Sequence, residues 1–135
     1  MPADCARRGA RVDAAHVVLT ASTSEAYAWL FKLLCNPGER VLVPRPSYPL
    51  FEHLTRLEGV EAVPYDLEYH GCWEIDPDSV VRAAAGGARA LLVVSPNNPT
   101  GSFLKAREVD WLATLCAERG LALVADEVFA DYRLD

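Results

Sequence analysis

The chain has 135 residues, is 51% hydrophobic and carries a formal charge of −6, which suits one domain that buries roughly two-thirds of its unfolded surface. An acidic balance without a basic run argues against nucleic acid and anionic membranes as partners. Residues 1–11 are polar and lack the apolar stretch of a secretory signal, and no segment approaches the ~18 apolar residues of a membrane span, so the expected compartment is the cytoplasm.

The segment 16–20 is the first expected strand. Residues 24–35 are apolar almost all round, which predicts a deeply buried helix. A strand at 41–43 follows, then a helix whose face carries Leu50, Phe51, Leu54 and Leu57. The third expected strand is 60–65, and 67–75 reads as a polar loop. Asp76-Pro77 supplies an N-cap and a proline at the first helical position, with Val80, Val81 and Ala84 along one side. A strand at 90–94 precedes a helix marked by Val109, Leu112, Leu115 and Cys116, which ends near Gly120. The last strand is 121–125. Near-continuous apolar strands alternating with helices predict an α/β fold, three layers deep, around a mainly parallel sheet.

The four cysteines, Cys5, Cys35, Cys72 and Cys116, form no C-x-x-C pair and have no histidine at metal-ligand spacing, so no metal site is expected. Cys35 and Cys116 fall in helical apolar patterns, where a reduced thiol packs as a small hydrophobe.

In open α/β sheets ligands bind beyond the carboxyl ends of the strands, so the residues that follow each strand are the candidates for chemistry. Ser22 with Glu25 reads as a capping box, which leaves the N–H groups of Thr23 and Ser24 without intrahelical partners at a helix start that favours a phosphate. Tyr48, in Pro46-Ser47-Tyr48-Pro49, offers a ring for stacking. Asn98, in Asn98-Pro99-Thr100-Gly101, offers an amide donor. Asp126 ends the last strand and suits a protonated ring nitrogen. Taken singly, each also fits ordinary capping, packing or turn chemistry.

Their order along the chain is more specific. Ser95-Pro96-Asn97-Asn98-Pro99-Thr100-Gly101, one helix, and then Leu123-Val124-Ala125-Asp126-Glu127-Val128 resemble the pyridoxal-phosphate (PLP)-dependent aminotransferases of fold type I, class I/II. Residues 20–26 resemble the family's phosphate-binding turn. Residues 36–43, with Pro46-Ser47-Tyr48-Pro49, resemble its next strand and aromatic turn. The resemblance runs from about Val12 to Asp135. It implies that Asp126 pairs with the pyridinium nitrogen of PLP, that Asn98 bonds the ring's phenolic oxygen, that Tyr48 stacks on the ring, and that Thr23 and Ser24 hold the phosphate. It further implies amino-acid and 2-oxo-acid substrates and a homodimer in the full-length family.

Two departures stand out. The family commonly has a tyrosine three residues after the acid, where this chain has Phe129; Tyr132 is no positional substitute. The Schiff-base lysine of the family lies a few dozen residues beyond the acid, whereas residue numbering ends nine positions after Asp126, and Lys32 and Lys105 match neither its position nor its context. Residues 1–135 are therefore expected to form part of the cofactor-binding large domain, without the lysine region or the small domain, and to lack turnover as they stand. The alternatives are a PLP-dependent lyase or synthase of the same fold, or a non-catalytic truncated paralogue. A sensor domain fused to a DNA-binding segment would need a basic winged-helix extension, for which the sequence offers no candidate.

Overall fold

Successive side chains of a strand point to opposite faces of a sheet, and here both faces are apolar. The computed structural model describes Gly9 and residues 12–131. In β1 (Arg40–Arg45), Val41 and Val43 face one way and Leu42 the other; in β4 (Ala90–Val94), Ala90, Leu92 and Val94 oppose Leu91 and Val93. Such strands must be covered on both sides. On one face lie α1 (Thr23–Leu34) and α2 (Leu50–Leu57), which contribute Tyr27, Phe31 and Phe51. On the other lie α3 (Pro77–Ala85) and α4 (Ala106–Arg119), with Val80, Ala84, Leu112, Leu115 and Cys116. The three-layer α/β reading holds.

The sheet is completed by β2 (Glu61–Tyr69), β3 (Trp73–Ile75) and β5 (Ala122–Asp126), in the order β3-β2-β1-β4-β5. All neighbouring pairs are parallel except β2 with β3. From β1 the chain first builds outward to β2, then returns to place β4 on the other side of β1. The order therefore reverses between β1 and β4, and the loops leaving those two strands diverge.

Three expectations are corrected. Segment 16–20 is not a strand: a short 3-10 helix at Ala14–His16, capped by Asp13, is followed by irregular chain. Val18 and Leu19 are 70% and 72% exposed, so their strand-like composition meets no sheet among the described residues. The helix at 24–35 forms but is not buried all round. Tyr27 and Phe31 face the sheet, while Trp29 and Leu33 are exposed. Segment 67–75 is not a loop: β2 runs on to Tyr69 and turns through Gly71, at φ +83°, into β3. Leu67 pairs with Ile75 and Tyr69 with Trp73, whose rings lie 5.5 Å apart. Such cross-strand pairs stabilise a hairpin whose polar residues mask its alternation.

Glu108 fixes this hairpin to α4. It is buried, and its carboxylate accepts from the backbone N–H of Ile75 at 2.8 Å and of Lys105 at 2.8 Å. At the other end of α4, Gly120 adopts the left-handed conformation at φ +66°, which ends the helix and starts β5. Lys105 pairs with Glu74, and Lys32 lies 3.2 Å from Glu58, so both lysines have surface roles. Cys35, Cys72 and Cys116 are unpaired thiols; Cys5 lies outside the described residues. Among the described residues no helix is long and apolar enough to cross a membrane. Replacing Glu108 by Ala strips one buried and one partly buried N–H group of their acceptor, and a loss of about 2–4 kcal/mol is expected in urea denaturation; a change below about 0.5 kcal/mol would contradict this role for Glu108.

Candidate functional site

The carboxyl ends of β1, β4 and β5 and the start of α1 meet around an open cleft of about 480 Å³. Ser22, Thr23, Ser24, Tyr48, Asn98, Asp126 and Phe129 all line it. Every site residue read from the sequence is thus brought to one place. Tyr132 lies outside the described residues.

One end of the cleft is a helix start. Ser22 is the N-cap of α1, its hydroxyl accepting from the Glu25 N–H at 3.2 Å. The Glu25 carboxylate reaches back to the Ala21 N–H at 2.6 Å, one residue before the cap. The box is thereby closed slightly wider than the standard pattern, in which the acid returns to the N-cap itself. The N–H groups of Thr23 and Ser24, in the first turn, have no intrahelical acceptor and carry the positive end of the helix dipole.

The other end is a carboxylate. Ala122 and Val124 pack toward α1, and strand alternation puts Asp126 on that same face. Its backbone is held by the ladder to β4, with Val94 as register partner and the Ser95 N–H donating to its carbonyl at 2.9 Å. Both side-chain oxygens are engaged. Oδ1 accepts from the Val128 N–H at 2.9 Å, and Oδ2 accepts from the Tyr27 hydroxyl at 2.7 Å. Burial first, then the Asp126 carboxylate, push the Tyr27 phenol far above its ordinary range, so it stays protonated as a donor. Tyr27 is held edge-on by Phe51, with ring centroids 5.2 Å apart.

Between the two ends, Tyr48 leaves β1 and Asn98 leaves β4. Tyr48 is half-exposed on the cleft. The turn carrying Asn98 is organised by its neighbour Asn97, which is 4% exposed. The Asn97 amide donates to the Pro46 carbonyl at 3.1 Å and to the Thr100 hydroxyl at 2.9 Å, and accepts from the Ser47 hydroxyl at 3.1 Å. It thus ties together the two loops that diverge from β1 and β4. Among the described residues that line the cleft, Asp126 is the only carboxylate, and neither Lys nor Arg is present.

Tyr27 and Asn97 are the residues that sequence reasoning missed as parts of the site. Asn97 lay inside a recognised turn, but nothing local distinguished its role from that of Asn98. Tyr27 carried a faint signal: a hydroxyl-bearing ring on the inward face of α1, one turn after Thr23.

The chain matches the family model "Aminotransferase class I and II" over residues 5–135. It is 32% identical to human tyrosine aminotransferase over 122 residues, covering 90% of this chain and 27% of that protein. Among solved structures, N-succinyldiaminopimelate aminotransferase from Mycobacterium tuberculosis superposes with a TM-score of 0.86 at 32% identity, covering 93% of this chain and 34% of that one. A PLP-bound C-S lyase from Staphylococcus hominis superposes at 0.83 with 25% identity, covering 88% and 32% respectively. The chain spans between about a quarter and a third of the length of these relatives.

Truncating Asn97 removes three hydrogen bonds, two of them between the two loops and one within the β4 loop. Asn97→Ala is expected to lower stability by about 2–4 kcal/mol in chemical denaturation; a variant as stable as the parent would contradict the tie between the β1 and β4 loops.

Proposed function

The chain belongs to the class I and II aminotransferase family, and on that premise we propose that its cleft holds pyridoxal 5'-phosphate. The observation that carries this reading is the polarity of the cleft. A helix start rich in N–H and hydroxyl groups lies at one end and the Asp126 carboxylate at the other, across a volume of about 480 Å³. Ligand sites are commonly ~300–1,000 Å³. A phosphate needs the first kind of group and a protonated ring nitrogen the second, so the donor set fits the cofactor.

In this reading Thr23 and Ser24 hold the phosphate through their N–H groups and hydroxyls, and the dipole of α1 adds to the attraction. The Asp126 carboxylate faces the ring nitrogen and keeps a proton there by favouring the charged form. Asn98 donates its amide to the phenolic oxygen, and Tyr48 lies against one face of the ring. Phe129 packs at the rim of the cleft, where it can donate no hydrogen bond to that oxygen. PLP, when bound, supplies an electron sink for negative charge developing on an amino-acid substrate. The protonated nitrogen maintained by Asp126 is what makes that sink effective.

The proposed activity is transamination between an amino acid and a 2-oxo acid, in the cytoplasm and as a homodimer. In this reading residues 1–135 provide part of the large, cofactor-binding domain. A PLP-dependent lyase reaction is the second reading. The similarity to the S. hominis C-S lyase favours it, and the cleft residues contact cofactor rather than substrate in either case.

Titration of PLP into the chain, followed by cofactor absorbance, tests the site. Saturable binding that inorganic phosphate competes away is expected, weakened about tenfold or more by Asp126→Ala, since a hydrogen bond to a charged group contributes about 1.5–3 kcal/mol. No saturable change, or an Asp126→Ala variant that binds as the parent does, contradicts the assignment.

A further inference from the structure

We propose that Tyr27 is a positioning residue for the cofactor nitrogen: its hydroxyl, with the Val128 N–H, fixes the Asp126 carboxylate in the orientation that a protonated ring nitrogen requires. The inference rests on the PLP reading above and assigns a role to a residue outside the set that would touch the phosphate or the phenolic oxygen.

The geometry carries it. A carboxylate at the end of a strand can rotate about its side-chain bonds, and an exposed one does so at little cost. Asp126 is restrained at both oxygens, by Val128 from the following turn at 2.9 Å and by Tyr27 from the opposite wall at 2.7 Å. The two donors come from different elements, so the carboxylate plane is fixed between them. The Tyr27 ring is itself immobile: it is 6% exposed and packs against Phe31 and edge-on against Phe51. A carboxylate oxygen has two acceptor directions, so Oδ2 can keep the phenol proton and still accept from a second donor.

The position of Tyr27 along α1 adds to this. Thr23 and Tyr27 are one helical turn apart on one face, about 6 Å along the axis. The helix that offers its start to the phosphate therefore also supports the acid at the other end of the cleft. A shift of α1 would move both contacts together, so the phosphate contact and the support of the acid rest on one helix. The Tyr27–Asp126 bond also joins α1 to the end of β5 across 99 residues of sequence.

The test compares PLP with its analogue bearing C–H in place of the ring nitrogen, on the parent chain and on Tyr27→Phe, by equilibrium binding. The parent is expected to prefer PLP. Tyr27→Phe is expected to weaken PLP binding about three- to tenfold and to leave the analogue unchanged, so the preference narrows. A purely structural role would weaken both ligands equally; that outcome, or an unchanged ratio, overturns the proposal while leaving the cofactor reading intact. A parent chain that binds neither ligand overturns the cofactor reading and this inference with it. Should Tyr27→Phe fail to fold, the parent supplies the readout through the Tyr27 hydroxyl proton in NMR spectra. That resonance is expected to shift on binding PLP and to stay in place on binding the analogue; equal behaviour with the two ligands overturns the proposal.

Discussion

Pairing of β1 with β4 decides where everything else in the site can be. Only two register pairs join them, Val41 with Ala90 and Leu42 with Leu91, yet they place side by side two strands whose continuing chains leave in opposite directions. A gap opens at their carboxyl ends, and main-chain polar groups bordering such a gap need partners. Asn97 supplies one, to the Pro46 carbonyl, and holds two hydroxyls beside it. Its amide bridges Pro46 and Ser47 on one loop to Thr100 on the other. With the loops tied, Tyr48 and Asn98 are delivered to the same cleft, and α1 and β5 close its two ends.

Polar residues around this cleft divide by task. Asn97, Glu25 and Tyr27 are spent on other protein groups, each in hydrogen bonds that fix a loop, a helix start or a carboxylate. Thr23, Ser24, Tyr48 and Asn98 line open space. Asp126 belongs to both sets, since its oxygens are held by the protein while it faces the cleft. A site that must present a charge in a fixed direction needs this kind of supporting contact, because an unsupported carboxylate would relax toward water.

Much of this was legible in the sequence, and the parts that were not share a physical cause. Strands 41–43 and 90–94, buried on both faces, are unbroken apolar runs, and the helices at Asp76 and before Gly120 carry their own caps. The ends of those strands therefore pointed to Tyr48 and Asn98, the end of 121–125 pointed to Asp126, and Ser22 was legible from its capping pattern with Glu25. Segment 16–20 has the composition of a strand, but a strand is made by a neighbour, and none reaches it among the described residues. The β2–β3 hairpin was obscured by Glu68, His70, Cys72 and Glu74, which interleave with Leu67, Tyr69, Trp73 and Ile75 and give the stretch a polar average. Trp29 and Leu33 show the converse, apolar residues on a helix face that the sheet does not cover. Tyr27 and Asn97 act through partners 99 and about 50 residues away, and contacts at that separation leave no periodicity to read.

A crystal structure of the chain with PLP tests the central claim most directly. The account predicts the phosphate over the start of α1 at Thr23 and Ser24, the ring against Tyr48, and its nitrogen within hydrogen-bonding distance of Asp126, with the Tyr27 hydroxyl still on the same carboxylate. Cofactor bound outside this cleft, or lying in it with the phosphate toward Asp126, would contradict it.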